Sequence, residues 1–246
     1  MRILVSIDDT DDLDSRGTGE IASLIAEGLQ QKGWGTAGMV TRHQLLVHPD
    51  VPYTSHNSAM CFTADIVDLE LERFISFAGA FLDHECAPGS DPGLCVAQVE
   101  RLEPSSDLIG FGQRAKQEVV TMQEAFDLAR RLGIHLSQHG GTGQGVIGAL
   151  AGAGLRLWGN DGRMKGALQF GGKKVLPVTE LLGHPHIDAV RCLEGGVPGA
   201  ADLVEIGEKP KTVLLEGASV LLVSPLEREG SEAVWQTVHR RQLRRY

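Results

Sequence analysis

Residues 3–7, Ile3-Leu4-Val5-Ser6-Ile7, form a short apolar run that leads straight into Asp8-Asp9-Thr10-Asp11. The run reads as a buried strand, and three carboxylates within four positions at its end set a hard electrostatic constraint. Like charges this close repel, and each loses hydration as the strand end is covered. A divalent cation bridging to phosphate removes that cost, because hard cations take carboxylate oxygens. The position also suits a binding site, since open sheets take ligands beyond the carboxyl ends of their strands. The alternative is an acidic loop that caps the following helix.

A chain of 246 residues accommodates one large domain or two smaller ones. The net charge of −9 argues against broad non-specific nucleic-acid binding, which relies on neutralising phosphates with Lys and Arg. One local exception is the basic tail His239-Arg240-Arg241-Gln242-Leu243-Arg244-Arg245-Tyr246, which is better explained as a solvated helix end, since arginines also complement a helix C-terminus. The first apolar stretch is too short for a signal peptide, and no run approaches the roughly 18 residues of a membrane span. A cytoplasmic location with no membrane partner is expected. Cys61, Cys86, Cys95 and Cys192 show no CxxC spacing, which excludes a zinc ribbon and disfavours a disulfide framework. Cys61 and Cys95 sit in strand-like runs, where a thiol behaves as a small buried hydrophobe.

Periodicity predicts a strand over 2–7 and a helix over 18–32 with Ile21, Leu24, Ile25 and Leu29 on one face. A second strand is expected within 36–47. Residues 58–66 read as a strand, 69–83 as an amphipathic helix, and 94–100 as another strand. Together they make a βαβ unit that suits a ferredoxin-like half. Thr121 with Glu124 makes a capping box for a helix running to about Leu132, which Gly133 ends. Residues 146–151 read as a small-residue helix. Beyond 155 the pattern turns to short extended pieces, and a final helix is expected over about 226–245.

A second candidate site is the loop His139-Gly140-Gly141-Thr142-Gly143-Gln144-Gly145. Glycines let backbone approach a ligand and turn N–H groups inward, and a following helix N-terminus favours an anion. No GK[ST] follows, so the loop is not a Walker A sequence, and its single GxGxxG match is weak. The alternative is a structural turn that allows close helix packing. Two glycines at the entrance of the first helix could admit a phosphate beside the aspartates, with Thr18 serving that role or acting only as an N-cap. His139 could touch phosphate. His184 and His186 read as surface residues, and no Ser-His-Asp arrangement follows from residue order.

Taken in order, these motifs resemble a known family. Ile7-Asp8-Asp9-Thr10-Asp11 with Ser15-Arg16-Gly17 is similar to the N-terminal signature of archaeal tRNA-isoleucine 2-agmatinylcytidine synthetases. His48-Pro49-Asp50-Val51-Pro52-Tyr53, with Asn57 and Ala59, is similar to that family's NPxIPxxTxGNxA segment. Asp91-Pro92-Gly93 resembles its NPG turn, and Gly143-Gln144-Gly145-Val146-Ile147-Gly148-Ala149-Leu150 its GRGLIGAL segment. The resemblance implies a kinase-like domain with an inserted ferredoxin-like domain, which binds ATP and magnesium and activates a tRNA cytidine for attack by agmatine. Carried over by position, Asp8, Asp9 and Asp11 hold the metal, Gly143 and Gly145 lie near the nucleotide, and Asn57 belongs to the same pocket. Thr10, Gly17, Thr18, His139 and Gly141 join them as nucleotide-binding candidates read from the chain itself.

Three features depart from the family. Its Gly-Met-Cys-Thr-Thr stretch, whose first threonine becomes phosphorylated, is Gly17-Thr18-Gly19-Glu20-Ile21 here. Glu20 therefore occupies the threonine position and joins Asp8 and Asp9 as a catalytic candidate. The loop arginine is Gln144, which removes a fixed cation suited to phosphate. After residue 155 neither the OB-fold signature nor the zinc ribbon that grips tRNA is found.

The reading is thus an α+β enzyme dependent on ATP and magnesium. A kinase-like α/β domain spans 1–57 and 101–160, a ferredoxin-like insert 58–100, and a β-containing segment 161–246. Its expected partners are a nucleotide and a small-molecule acceptor, with phosphoryl or nucleotidyl transfer as the reaction; tRNA is the less favoured partner. The alternatives are a nucleotide-binding regulatory module without turnover and a tRNA-modifying ligase that uses its basic tail.

Overall fold

Strand β1 (Arg2–Asp8) is buried at every position after Arg2, which explains why its sequence is a continuous apolar run and not an alternating one. Both its faces are covered. The computed structural model describes residues 1–12, 15–49, 51, 57–228 and 230–246, and these fall into two compact units, Met1–Trp158 and Gly159–Tyr246. The architecture is α+β.

In the first unit, β1 is followed by α1 (Thr18–Gln31), β2 (Gly35–Ala37), β3 (Thr41–Gln44), β4 (Ser58–Ile66), α2 (Leu71–Glu85) and β5 (Gly93–Gln98). Then come α3 (Ser105–Arg114), α4 (Met122–Leu132), β6 (His135–Gln138) and α5 (Gly145–Trp158). The strands lie in the order β6-β5-β1-β4-β3, and β2 also pairs with β4. Because β4 and β5 each run antiparallel to β1, they are parallel to each other with β1 between them. The expected βαβ unit over 58–100 is present as a split one. The domain division expected at 57/58 falls inside this sheet, because β1 supplies the strand that joins β4 to β5.

Helices cover the sheet on two sides. Ile3, Val5 and Ile7 pack with Ile21, Ile25 and Leu29 of α1 and with Phe74, Ala78 and Leu82 of α2. On the opposite face Leu4, Ala59, Cys61, Cys95 and Ala97 meet α3, α4 and α5. Each fully buried Ile or Leu contributes about 1.5–3 kcal/mol. Glycines bring α5 close to the sheet: a Cβ on Gly152 would stand 2.5 Å from Ser6 Oγ. Cys61 and Cys95 are free and buried, and burial pushes the Cys61 thiol up to about 12.

The strand expected within 36–47 is split in two. Ala37 pairs with Ala64 and Thr41 with Cys61, so residues 38–40 oppose only 62–63. That extra residue is a bulge, and Gly38 donates to the Thr63 carbonyl there at 2.8 Å. The capping box holds as the sequence specifies: Glu124 N donates to Thr121 Oγ1, and Thr121 N donates to Glu124 Oε2. Gly133 ends α4 with φ of 65°.

The second unit contains β7 (Arg163–Met164), β8 (Val175–Pro177), α6 (Val178–Leu182), β9 (Ala189–Cys192), β10 (Leu203–Glu205), β11 (Thr212–Leu215), β12 (Ala218–Pro225) and β13 (Trp235–Thr237). Strand β12 is its spine, antiparallel to β11 and β13 and parallel to β9. The helix expected over 226–245 is not formed. Pro225 ends β12, Gly230 adopts φ of 77°, and Val234–Val238 is rich in residues that favour a pleated surface. Strand β13 therefore pairs with β12 and β10. Helical backbone returns only as a short 3-10 turn at Gln242–Arg245, which seats Leu243 among Val213, Val220, Leu222 and Val238. Among the described residues no helix is long and apolar enough to cross a membrane.

Candidate phosphate-type site at the end of strand β1

The end of β1 carries its charge into the interior. Asp8 is only 8% exposed, and its carboxyl lies against α5, where a Cβ on Gly148 would stand 1.7 Å from Asp8 Oδ2. Burial, and next the neighbouring Asp9 charge, raise the Asp8 pKa from 3.8 to about 8. Asp9 turns the chain through a left-handed conformation with φ of 53°. Its pKa is raised to about 6 by burial, then by Asp91 and Asp11. Thr10 is fully buried, and its hydroxyl has no hydrogen-bond partner among the described residues. Asp11 Oδ1 accepts a 2.9 Å bond from Thr18 Oγ1. Thr18 is thus tied to the acidic turn, and Gly17 is the N-cap of α1, with no side-chain cap. Arg42 on β3 lies within the electrostatic reach of Asp11 and donates to Ser58 Oγ at 3.0 Å.

The glycine loop closes on the same place. Asp91 accepts from both the backbone N–H and the hydroxyl of Thr142. His139 N donates to the Pro92 carbonyl at 2.8 Å, and Gly145 N to the Asp91 carbonyl at 3.1 Å. A Cβ on Gly145 would meet Asp91 O at 2.0 Å and Asp8 O at 3.1 Å, and one on Gly141 would overlap Asp91 Oδ1. Gly143 presses on Gln138, where a Cβ would stand 2.2 Å from Oε1. These glycines are required by close approach.

The sequence candidates therefore divide. Asp8, Asp9, Thr10, Asp11, Gly17, Thr18, Gly141 and Gly145 gather around the end of β1, and Gly143 shapes the loop. Glu20 stands on the exposed face of α1, 3.8 Å from the Arg16 guanidinium, which also holds Glu85 at 2.7 Å. Asn57 brackets a loop: its Nδ2 donates to the Leu46 carbonyl at 2.7 Å, and its own carbonyl accepts from Leu45 N and Gln44 Nε2. Residues 50 and 52–56 of the matched segment lie outside the described residues. His139 turns to Asp83 and Ser137. Asp91 is a site residue that sequence reasoning did not rank. Its signal was a carboxylate where the NPG turn carries asparagine.

Among the described residues no group of three His, Cys, Asp or Glu side chains is arranged to hold a metal ion. The donors present nevertheless fit a cation that keeps waters and takes one or two carboxylates together with substrate phosphates. Two features carry that fit: a carboxyl whose charge is disfavoured by burial and then by its acidic neighbour, and, two residues on, the buried Thr10 hydroxyl with no hydrogen-bond partner among the described residues.

Fold and site together define an α+β chain with an acidic turn clasped by a glycine-rich loop. No family model matches it. It resembles TiaS, the 2-agmatinylcytidine synthetase that acts on an isoleucine tRNA. The Methanosarcina acetivorans protein is 27% identical over 160 residues, covering 63% of this chain and 36% of the relative. The Methanosarcina mazei protein is 27% identical over an alignment 256 positions long, covering 92% of this chain and 57% of the relative. The chain thus spans between about a third and somewhat over half of the length of these relatives. Among solved structures, a tRNA fluorescent labeling enzyme superposes with a TM-score of 0.55 at 26% identity, covering 63% of this chain and 36% of that one. A complex of TiaS with its isoleucine tRNA and ATP superposes with 0.58 at 23% identity, covering 82% and 50%, and shows the same fold.

Proposed function

We propose that this chain binds ATP with magnesium at the end of β1 and uses ATP cleavage to activate an acceptor, as an ATP-dependent ligase- or transferase-like enzyme of the kind its relatives' names describe. The observation that carries the proposal is the Asp8 carboxyl, buried against Gly148 with Asp9 and Asp11 in electrostatic reach. Asp8, Asp9 and Asp11 would hold the metal, whose charge would neutralise the phosphate oxygens while the transferred group develops negative charge. The chain's own contribution is positioning. Thr18 fixes Asp11, Thr142 fixes Asp91, and Gly141, Gly145 and Gly148 let the loop and α5 close on Asp91 and Asp8.

The reading gives Glu20 no direct part, since its carboxylate pairs with Arg16 on an exposed face. The relatives' names bring in tRNA as an acceptor, against the sequence expectation of a smaller one, and binding measurements distinguish the two. Titration calorimetry is expected to find magnesium-dependent ATP binding that Asp8→Asn or Asp9→Asn abolishes; unchanged binding in both variants sinks the site. Filter binding of the isoleucine tRNA at low and moderate salt, with and without residues 239–246, then tests the acceptor. Absence of retention even at low salt, with no response to the deletion, argues against RNA.

A further inference from the structure

A second constellation lies on the other face of the same sheet. Asp8, Gly93 and Gln138 stand in one cross-strand row of β1, β5 and β6. Their side-chain positions face α5, where Gln138 meets Gly143. Alternation along β6 turns His135, Ser137 and the following His139 to the opposite face, toward α2. There His139 Nδ1 is 2.8 Å from Asp83 Oδ1 on α2, and His139 Nε2 is 2.8 Å from Ser137 Oγ. His135 Nε2 stands 3.0 Å from the same hydroxyl.

The chemistry of the donors fixes the order of protons. An ionised Asp83 only accepts, so His139 Nδ1–H donates to it, and Nε2 of the neutral ring is left to accept the Ser137 proton. His135 then donates to Ser137 Oγ from its own Nε2–H. Burial, and next the neighbouring His139, hold the His135 pKa below its ordinary value, which favours the neutral ring. His139 itself is locked in place. Its ring is packed over Gly79, where a Cβ would stand 2.8 Å from Cε1, and its side chain is 13% exposed. Ser137 is half-buried on the end strand of the sheet order, so a substrate can approach from the unpaired side of β6.

We infer that Ser137, His139 and Asp83 form a nucleophile, base and orienting carboxylate able to cleave a small activated ester. A nucleophile and base within hydrogen-bond reach, with the base aligned by a third group, is the recurring arrangement for acyl transfer. Ser137 Oγ attacks the ester carbonyl carbon as its proton passes to His139 Nε2, and the new Oγ–C bond forms. The bond from carbonyl carbon to the alcohol oxygen breaks, and Nε2 returns the proton to that oxygen. Water then attacks the acyl-serine, giving its proton to His139, and release of the carboxylate restores the Ser137 hydroxyl. Asp83 holds the imidazole in the required tautomer throughout. The site is independent of ATP.

The test is labelling of the full chain with a fluorophosphonate probe, with hydrolysis of p-nitrophenyl acetate measured in parallel. Mass spectrometry is expected to place the label on Ser137. Ser137→Ala and His139→Ala should abolish labelling, and Asp83→Asn should slow it by about 10²–10⁴-fold. Thermal unfolding of each variant guards against misfolding. Ser137→Cys, of similar size, provides a second acceptor whose thiol, activated by the same base, should take iodoacetamide readily near neutral pH. No label at Ser137 in the wild type overturns the inference. So does labelling at Ser137 that His139→Ala leaves unchanged, or an unreactive thiol in a folded Ser137→Cys.

Discussion

Two groups of carboxylates in the first unit meet opposite fates. Glu124 lies on the exposed start of α4, accepts from Thr121 N and from the Arg114 guanidinium, and has its pKa lowered from 4.5 to about 2 by those bonds. Asp8 is driven into the interior beside other acids, and its pKa rises to about 8. One acid is placed where the fold favours its charge. The other is placed where the fold resists it, which makes sense if a bound cation or polarised ligand supplies what the protein does not. The contrast separates a residue that serves folding from one for which a binding role is proposed.

The largest effect is expected from filling the space between Asp8 and α5. Gly148→Ala would put a Cβ 1.7 Å from Asp8 Oδ2. The expected result is loss of magnesium–ATP binding by calorimetry and a destabilisation of about 1–3 kcal/mol in urea. A variant with wild-type affinity would show that Asp8 need not lie against the helix.

The next effect is on pH. The folded pKa values of Asp8 and Asp9, about 8 and about 6, exceed the ordinary 3.8, so the native state holds more protons than the unfolded one between those limits. Their contribution to stability is full below about pH 4 and is lost as pH rises toward about 8. Glu124 works the other way: its contribution is present above 4.5 and is lost as pH falls toward 2. Urea midpoints of the ligand-free protein should therefore fall from about pH 5 to about pH 8, and Asp8→Asn should flatten that limb. Glu124→Gln should flatten only the acid limb. The same alkaline slope in Asp8→Asn and wild type would refute the buried-charge account.

Smaller effects test the folding side alone. Thr121→Ala removes the N-cap of α4 and should cost about 1 kcal/mol, with ATP affinity unchanged. Gly110→Ala, at a helical position where an added Cβ meets nothing within 4 Å, should gain up to about 1 kcal/mol by helix propensity. A loss there would mean that α3 has less room than the Gly148 contrast assumes.

Much of the first unit was legible because its signals are local. The strand over 58–66 and the capping box of Thr121 and Glu124 depend on neighbouring residues, and both appear as read. The helix expected at 226–245 failed because β13 pairs both with the preceding strand β12 and with β10 farther back in the chain, a pairing that helical periodicity does not register. The same limit governs the site. The acidic turn and the glycine loop are visible as motifs, yet Asp91 enters through contacts distant in sequence, among them its bonds to Thr142, 51 residues away, and its charge near Asp9. Glu20 reads as catalytic by its position in a motif, whereas the face of α1 on which it falls turns it to Arg16.

That an apolar strand ends in clustered carboxylates, and that small residues follow a glycine loop, is written in the order of a few consecutive residues. No such stretch specifies that Gly148 lies against Asp8, or that Asp83 reaches His139 across 56 residues. Those outcomes depend on strand register and on helices laid across the sheet, and a one-residue shift in register would turn each side chain to the opposite face.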